Sequence, residues 1–118
     1  MIQVKRIYES PAPTDGYRVL VERLWPRGIS KDRAHLDLWL KDVAPSPGLR
    51  QWFAHDPAKW DEFRRRYWVE LEQAPAAVEQ LRAMLKSGTL TLVYAARDEQ
   101  HNSAIILKAF LEQASEGS

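Results

Sequence analysis

The chain has 118 residues, 45% of them apolar and 28% charged, a size and composition that build a hydrophobic core rather than a disordered segment. Seventeen Lys and Arg stand against sixteen Asp and Glu, a net charge of +1, which argues against a dedicated duplex-DNA binder whose affinity rests on neutralising many phosphates. There is no cysteine, which excludes disulfides, thiolate nucleophiles, iron–sulfur clusters and cysteine zinc sites.

The N-terminus, Met1-Ile2-Gln3-Val4-Lys5-Arg6, lacks the apolar core of a signal peptide, and no apolar run approaches transmembrane length. A cytoplasmic protein without a membrane partner is the default expectation. Residues 2–8 alternate apolar and polar as a first strand. Residues 10–16, Ser-Pro-Ala-Pro-Thr-Asp-Gly, are turn chemistry throughout. Residues 17–24 read as a second strand ending in Glu22-Arg23-Leu24-Trp25-Pro26-Arg27-Gly28-Ile29-Ser30-Lys31. Pro26 stiffens that loop, and Gly28 permits a turn that a Cβ would resist. Residues 35–40 alternate with period two, a short third strand in competition with a helical turn.

Pro45-Ser46-Pro47 breaks the chain, and residues 49–54 suggest a short helix carrying Trp52 and Phe53 inward. Asp56 and Pro57 are a cap and first position for a helix over residues 57–73, with Trp60, Phe63, Tyr67 and Leu71 as its buried stripe. Residues 76–86 form another helix, stopped by Gly88. Residues 89–96 are a strand apolar enough for burial on both faces, as in a parallel sheet. Asp98 then caps a closing helix that starts at about residue 99. One domain over residues 1–115 with a frayed tail at 116–118 is expected.

This order of elements is the grammar of an α/β sheet, whose ligands bind beyond the carboxyl ends of the strands. If the second and last strands run parallel, residues 23–31 and 97–102 emerge on one edge. Arg23 and Arg27 have planar forks suited to carboxylate or phosphate. Lys31 and Arg97 add cations, to the site or to the solvated surface. Trp25 walls a pocket, stacks on a ligand or simply packs. Asn102 supplies a polar amide. Asp98 and His101 are the catalytic candidates, the carboxylate orienting and the imidazole exchanging a proton, although a cap and a ligand-binding or structural histidine account for them equally. The same spacing predicts the Arg23 guanidinium within reach of Asp98 or His101 in a cleft shared with Trp25. An Arg23–Asp98 pair that merely pins loops is the plain alternative. His55, Asp56, Asp98 and His101 lack helical metal-ligand spacing, and no GxGxxG, Walker A, GxSxG or HExxH pattern occurs, so neither a metal nor a cofactor is expected.

Several blocks taken together carry a resemblance: residues 21–31, Asp37-Leu38-Trp39-Leu40-Lys41, Ala44-Pro45-Ser46, Trp52-Phe53-Ala54-His55-Asp56-Pro57, and residues 94–102. Across nearly the whole chain they resemble the YeaO-like proteins, within the larger family called domain of unknown function 488. The resemblance implies a Rossmann-like layered α/β fold with a small, mainly parallel sheet flanked by helices. It favours Arg23, Arg27, Asp98, His101 and Asn102 as a shared polar site and implies no established reaction. Longer relatives carry a full helix between their first two strands. Residues 10–16 are too short for one, and a parallel crossover takes a dozen or more residues, so the first strand is open between parallel and hairpin pairing.

Two functional classes follow. One is binding of a phosphate- or carboxylate-bearing small molecule, a nucleotide among them, with or without hydrolase or transferase chemistry. The other is a non-catalytic module for nucleic acid or an acidic protein, using the cations with Arg64, Arg65 and Arg66. A cleft favours the first, and an open basic surface the second.

Overall fold

The structure is a computed structural model and describes residues 1–116. Four parallel strands form one sheet: β1 (Ile2–Arg6), β2 (Tyr17–Leu20), β3 (Leu38–Trp39) and β4 (Leu90–Tyr94), in the order β1-β4-β2-β3. β4 lies in the middle, with Leu92 opposite Val4 on one side and Val19 on the other. All five of its residues are buried, as a continuous apolar strand requires. β2 is shorter than its apolar run suggests. After Val21 N–H donates to the Val93 carbonyl (3.1 Å), the chain leaves the sheet for the Pro26 loop.

Five helices complete the fold: α1 (Lys31–Ala34), α2 (Pro47–Phe53), α3 (Trp60–Glu72), α4 (Pro75–Ser87) and α5 (Ser103–Glu116). The frayed tail expected at 116–118 lies, apart from Glu116, outside the described residues. α2 to α5 cover one face of the sheet. There Val19, Val21, Leu90 and Leu92 pack with Phe63, Tyr67, Leu71, Leu81, Ile106 and Leu107. The α3 stripe is as its spacing predicts: Phe63, Tyr67 and Leu71 are buried, and Trp60 packs partly exposed against the same core. The helices do not flank the sheet evenly. Its other face carries a smaller core of Ile7, Leu20, Val93 and, from α1, Ala34, covered by Trp25, Ile29 and Leu36 from loops and by Trp39 of β3.

Several helix starts differ from expectation: α2 begins at Pro47 and α4 at Pro75, each with a proline in the first turn where its missing N–H costs nothing. Asp56 caps a 3-10 turn, Pro57–Lys59, that leads into α3, its carboxylate accepting from Ala58 N–H (3.0 Å). α5 begins at Ser103 and not at residue 99. Asn102 is its cap, with Oδ1 accepting from Ile105 N–H (3.1 Å). Asp98 instead closes the turn before it, accepting from Gln100 and His101 N–H (2.9 and 3.0 Å).

The first strand is parallel. β1 and β2 never touch, because β4 lies between them, and residues 7–16 carry the chain back across β4 without a full helix. Thr91 hydroxyl donates to the Asp15 carbonyl (2.6 Å) beneath that segment. Gly16 permits the tight approach: its φ is 62°, and a Cβ there would lie 2.3 Å from the Thr89 carbonyl oxygen. Gly16→Ala should therefore cost about 2–3 kcal/mol in denaturant melts, by strain and overlap together. A neutral result would mean that this crossover is not closely packed.

Candidate functional site

A cleft of about 660 Å³ opens over the carboxyl edge of the sheet. Its apolar walls include Pro45, Phe53, Phe63, Ala95 and Ala96. Its polar groups are Glu22, Arg23, Arg50, His55, His101 and Asn102, with Gln51 and Ser103 beside them. Each element delivers its share for a local reason. β2 and β4 end at the same edge, so Glu22 and Arg23 face Ala95 and Ala96 across the cleft. α2, capped by Ser46 Oγ on Leu49 N–H (3.2 Å), brings Arg50 and Gln51. Ala54 and His55 follow with φ of 48° and 56°, a left-handed pair that turns the chain sharply at the end of α2.

His101 is fixed on two sides. Its Nδ1 lies 2.9 Å from Asp98 Oδ2, and its ring stands edge-on to Trp60, centroids 5.1 Å apart. The N–H of Gln100 is the largest influence on the Asp98 carboxyl and, with the His101 side chain and N–H, holds it below its usual range against the opposing loss of hydration. Asp98 is thus an ionised acceptor that orients the imidazole, leaving Nε2 without a protein partner among the described residues. Trp60, Phe53 and Phe63 continue the aromatic row, Phe53 and Phe63 stacking at 4.1 Å.

Arg23 lines the cleft but pairs with neither Asp98 nor His101. Its Nε donates to the Pro45 carbonyl (2.9 Å) and its Nη2 to that of Ala44 (3.2 Å). The fork thus secures residues 44–46 from one side. Glu70 secures them from the other, accepting from Ser46 N–H (2.8 Å) and hydroxyl (2.6 Å). Beyond this strap lies a smaller cavity of about 320 Å³, also bordered by Arg23.

The other candidates are dispersed. Trp25 lies under the opposite face of the sheet, its indole N–H donating to the Ile29 carbonyl (2.8 Å) and its ring edge-on to Trp39 at 5.4 Å. The apolar underside of the sheet, which α2 to α5 leave uncovered, draws it there. Arg27 and Lys31 are exposed on the loop and α1 outside the cleft, and Tyr8 hydroxyl donates to the Arg27 carbonyl (2.9 Å). Arg97 is exposed and outside the lining, and Asp98 reaches the cleft only through His101. Asn102 lines it with both ends of its amide engaged, Nδ2 donating to the Asp98 carbonyl (3.1 Å). Arg64, Arg65 and Arg66 do not border the cleft. Arg65 and Arg66 pair with Glu62 (2.6 and 2.7 Å), and Arg66 also stacks over Trp52 at 4.3 Å. No group of three His, Asp or Glu suited to a metal occurs among the described residues. Nor, among them, is any helix long and apolar enough to cross a membrane.

Sequence reasoning missed Glu22 and Arg50. Burial raises the Glu22 carboxyl above its usual range, and the positive charge of Arg50 opposes this only in part. The one available signal for Glu22 was its place beside Arg23 at the strand exit. Arg50 gave none, because nothing local says that α2 folds back over the sheet edge.

Fold and cleft together define an open, all-parallel α/β protein whose polar groups gather at the carboxyl edge of the sheet. Over residues 1–118 the chain matches the family described as the inactive DUF488-N3 subclade, and it belongs to that family. It is 44% identical over 110 residues to the uncharacterized protein Rv3073c of Mycobacterium tuberculosis, covering 93% of this chain and 92% of that one. It is 41% identical over 110 residues to the uncharacterized protein YeaO of Escherichia coli, covering 93% and 96%. No solved structure shows significant similarity to the chain.

Proposed function

We propose that the cleft binds a small molecule carrying a carboxylate or phosphate on an apolar or aromatic body, without turning it over. The observation that carries this reading is the set of cationic and imidazole groups, Arg50, Arg23, His55 and His101, around an aromatic floor in a space of about 660 Å³. Arg50 offers its fork directly, because no protein acceptor engages it among the described residues. Arg23 contributes the edge that the strap leaves free. Ala95, Ala96 and the His101 ring, backed by the buried Phe53 and Phe63, give the apolar body its surface. The description of the subclade as inactive favours binding without chemistry.

The test is a thermal-shift and calorimetric screen with inorganic phosphate, dicarboxylates, sugar phosphates and nucleoside monophosphates. A ligand at ~100 times its Kd adds about 2.7 kcal/mol of stability. Arg50→Ala, an exposed helical position, should keep the fold within about 0.5 kcal/mol and weaken the bound ligand about tenfold or more. No stabilisation by any of these anions sinks the proposal, as does an Arg50→Ala variant that binds unchanged.

One observation favours a second reading with hydrolase or transferase chemistry: the Asp98–His101 pair presents an oriented imidazole. Turnover of a bound ligand by the wild type, lost in His101→Ala with binding retained, would replace the first reading by this one.

A further inference from the structure

Among the described residues Glu22 is the one acid that lines the cleft. Its main chain is engaged, the carbonyl accepting from Trp39 Nε1–H (2.6 Å). Its carboxylate is not. Among the described residues no N–H or O–H donates to it, and Arg50 acts on it through charge without a hydrogen bond. The carboxylate oxygens are left to solvent within the cleft, open to the N–H groups of a ligand. The same carboxylate repels a ligand that is anionic and nothing more. An anion site built around such a group suits a molecule with both an anionic end and an N–H edge.

The surroundings narrow the class. The His101 ring, partly exposed and held in place by Asp98 and Trp60, gives the cleft a flat wall, while Phe53 and Phe63 stack on each other almost wholly buried beneath it. A flat ring on the wall of a cleft favours a flat guest. The two oxygens of a carboxylate match two adjacent N–H donors in parallel, the pattern on the amide–amine edge of guanine and absent from adenine.

We propose that Glu22 is the specificity-determining residue of the cleft, accepting the paired N–H donors of a guanine-type base whose phosphate lies against Arg50. This rests on the binding reading above and names its ligand class: a purine nucleotide with a donor–donor edge.

Calorimetric titration of the wild type and of Glu22→Gln with guanosine 5′-monophosphate, adenosine 5′-monophosphate and inorganic phosphate tests it. The wild type should bind the guanine nucleotide about tenfold or more tighter than the adenine one. Glu22→Gln should erase that preference, with about a tenfold loss for the guanine nucleotide alone. Phosphate should bind the variant as well as the wild type or better, because the repulsion has gone. The melting temperature should hold or rise, since the carboxylate has no hydrogen-bond partner to lose. A lowered melting temperature would make Glu22 a structural partner of Arg50 and overturn the assignment. Equal binding of the two nucleotides, or a variant that loses all three ligands alike, would overturn it while leaving the anion cleft intact. Failure of all three to bind the wild type would overturn this proposal, and the binding reading too if the wider anion screen also fails.

Discussion

Asp15→Asn should remove about 3–5 kcal/mol of folding stability, because it strips the counter-charge from a buried ion cluster. Asp15 and Arg18 are both almost fully buried, 2% and 4% exposed. They meet at 2.6 Å, and Lys5 Nζ lies 3.2 Å from both carboxylate oxygens. The rest of the Arg18 fork donates to the carbonyls of Ala34 (2.8 Å) and His35 (3.0 Å), so the guanidinium is fixed in place when its carboxylate is lost. Burial by itself would raise the Asp15 carboxyl, but the N–H of Ala12 and the side chains of Arg18 and Lys5 outweigh it and hold it below the usual carboxylate range. A depressed carboxyl stabilises the fold above its unfolded value and ceases to as pH falls through the folded one. Wild-type stability should therefore begin to fall near pH 4 and continue down through the depressed pKa, and the Asp15→Asn variant should lack that part of the acid limb. Urea melts between pH 7 and pH 2 measure both effects. A loss below about 1 kcal/mol at pH 7, or parallel acid limbs, would show that the cluster contributes little net stability.

Phe63→Ala should cost about 3–5 kcal/mol through lost burial and a residual cavity. Phe63 is 3% exposed and stacks between Phe53 at 4.1 Å and Tyr67 at 6.1 Å. It also borders the cleft, so the gap would enlarge the site floor. Phe63→Leu, which keeps most of the volume, should lose less than about 1.5 kcal/mol and keep the floor closed. Guanidinium melts of the pair decide it. A loss below about 1 kcal/mol for Phe63→Ala would mean that this stripe does not carry the core.

The same ring illustrates why much of this fold was legible in the chain. Phe63, Tyr67 and Leu71 recur at helical spacing, and that periodicity survives any tertiary arrangement, because a helix with one apolar stripe must bury it. β4 was legible for the same reason, being apolar at every position and bounded by breakers. Asp15 was not. In the sequence it is one polar residue in a turn segment, indistinguishable from a solvated turn aspartate. Only the passage of residues 7–16 across β4 buries it against Arg18 and Lys5. Arg23 was legible as a residue near the carboxyl edge but not in its task, because its partners, the carbonyls of residues 44 and 45, come from a distant strap. Trp25 shows the converse: an aromatic in an Arg-rich loop reads equally as a pocket wall, a stacking surface or plain packing, and only the second face of the sheet decides for packing.

The sequence by itself determined the α/β class, the main helical faces and the segment at each strand exit, because these follow from local periodicity and turn chemistry. The tertiary structure alone decided that β4 separates β1 from β2, that one sheet face is left to loops, the single turn of α1 and tryptophans, and that Glu22 and Arg50 meet His101 in one cleft. Those outcomes depend on which distant surfaces touch, and the chemistry of neighbouring residues does not encode that choice.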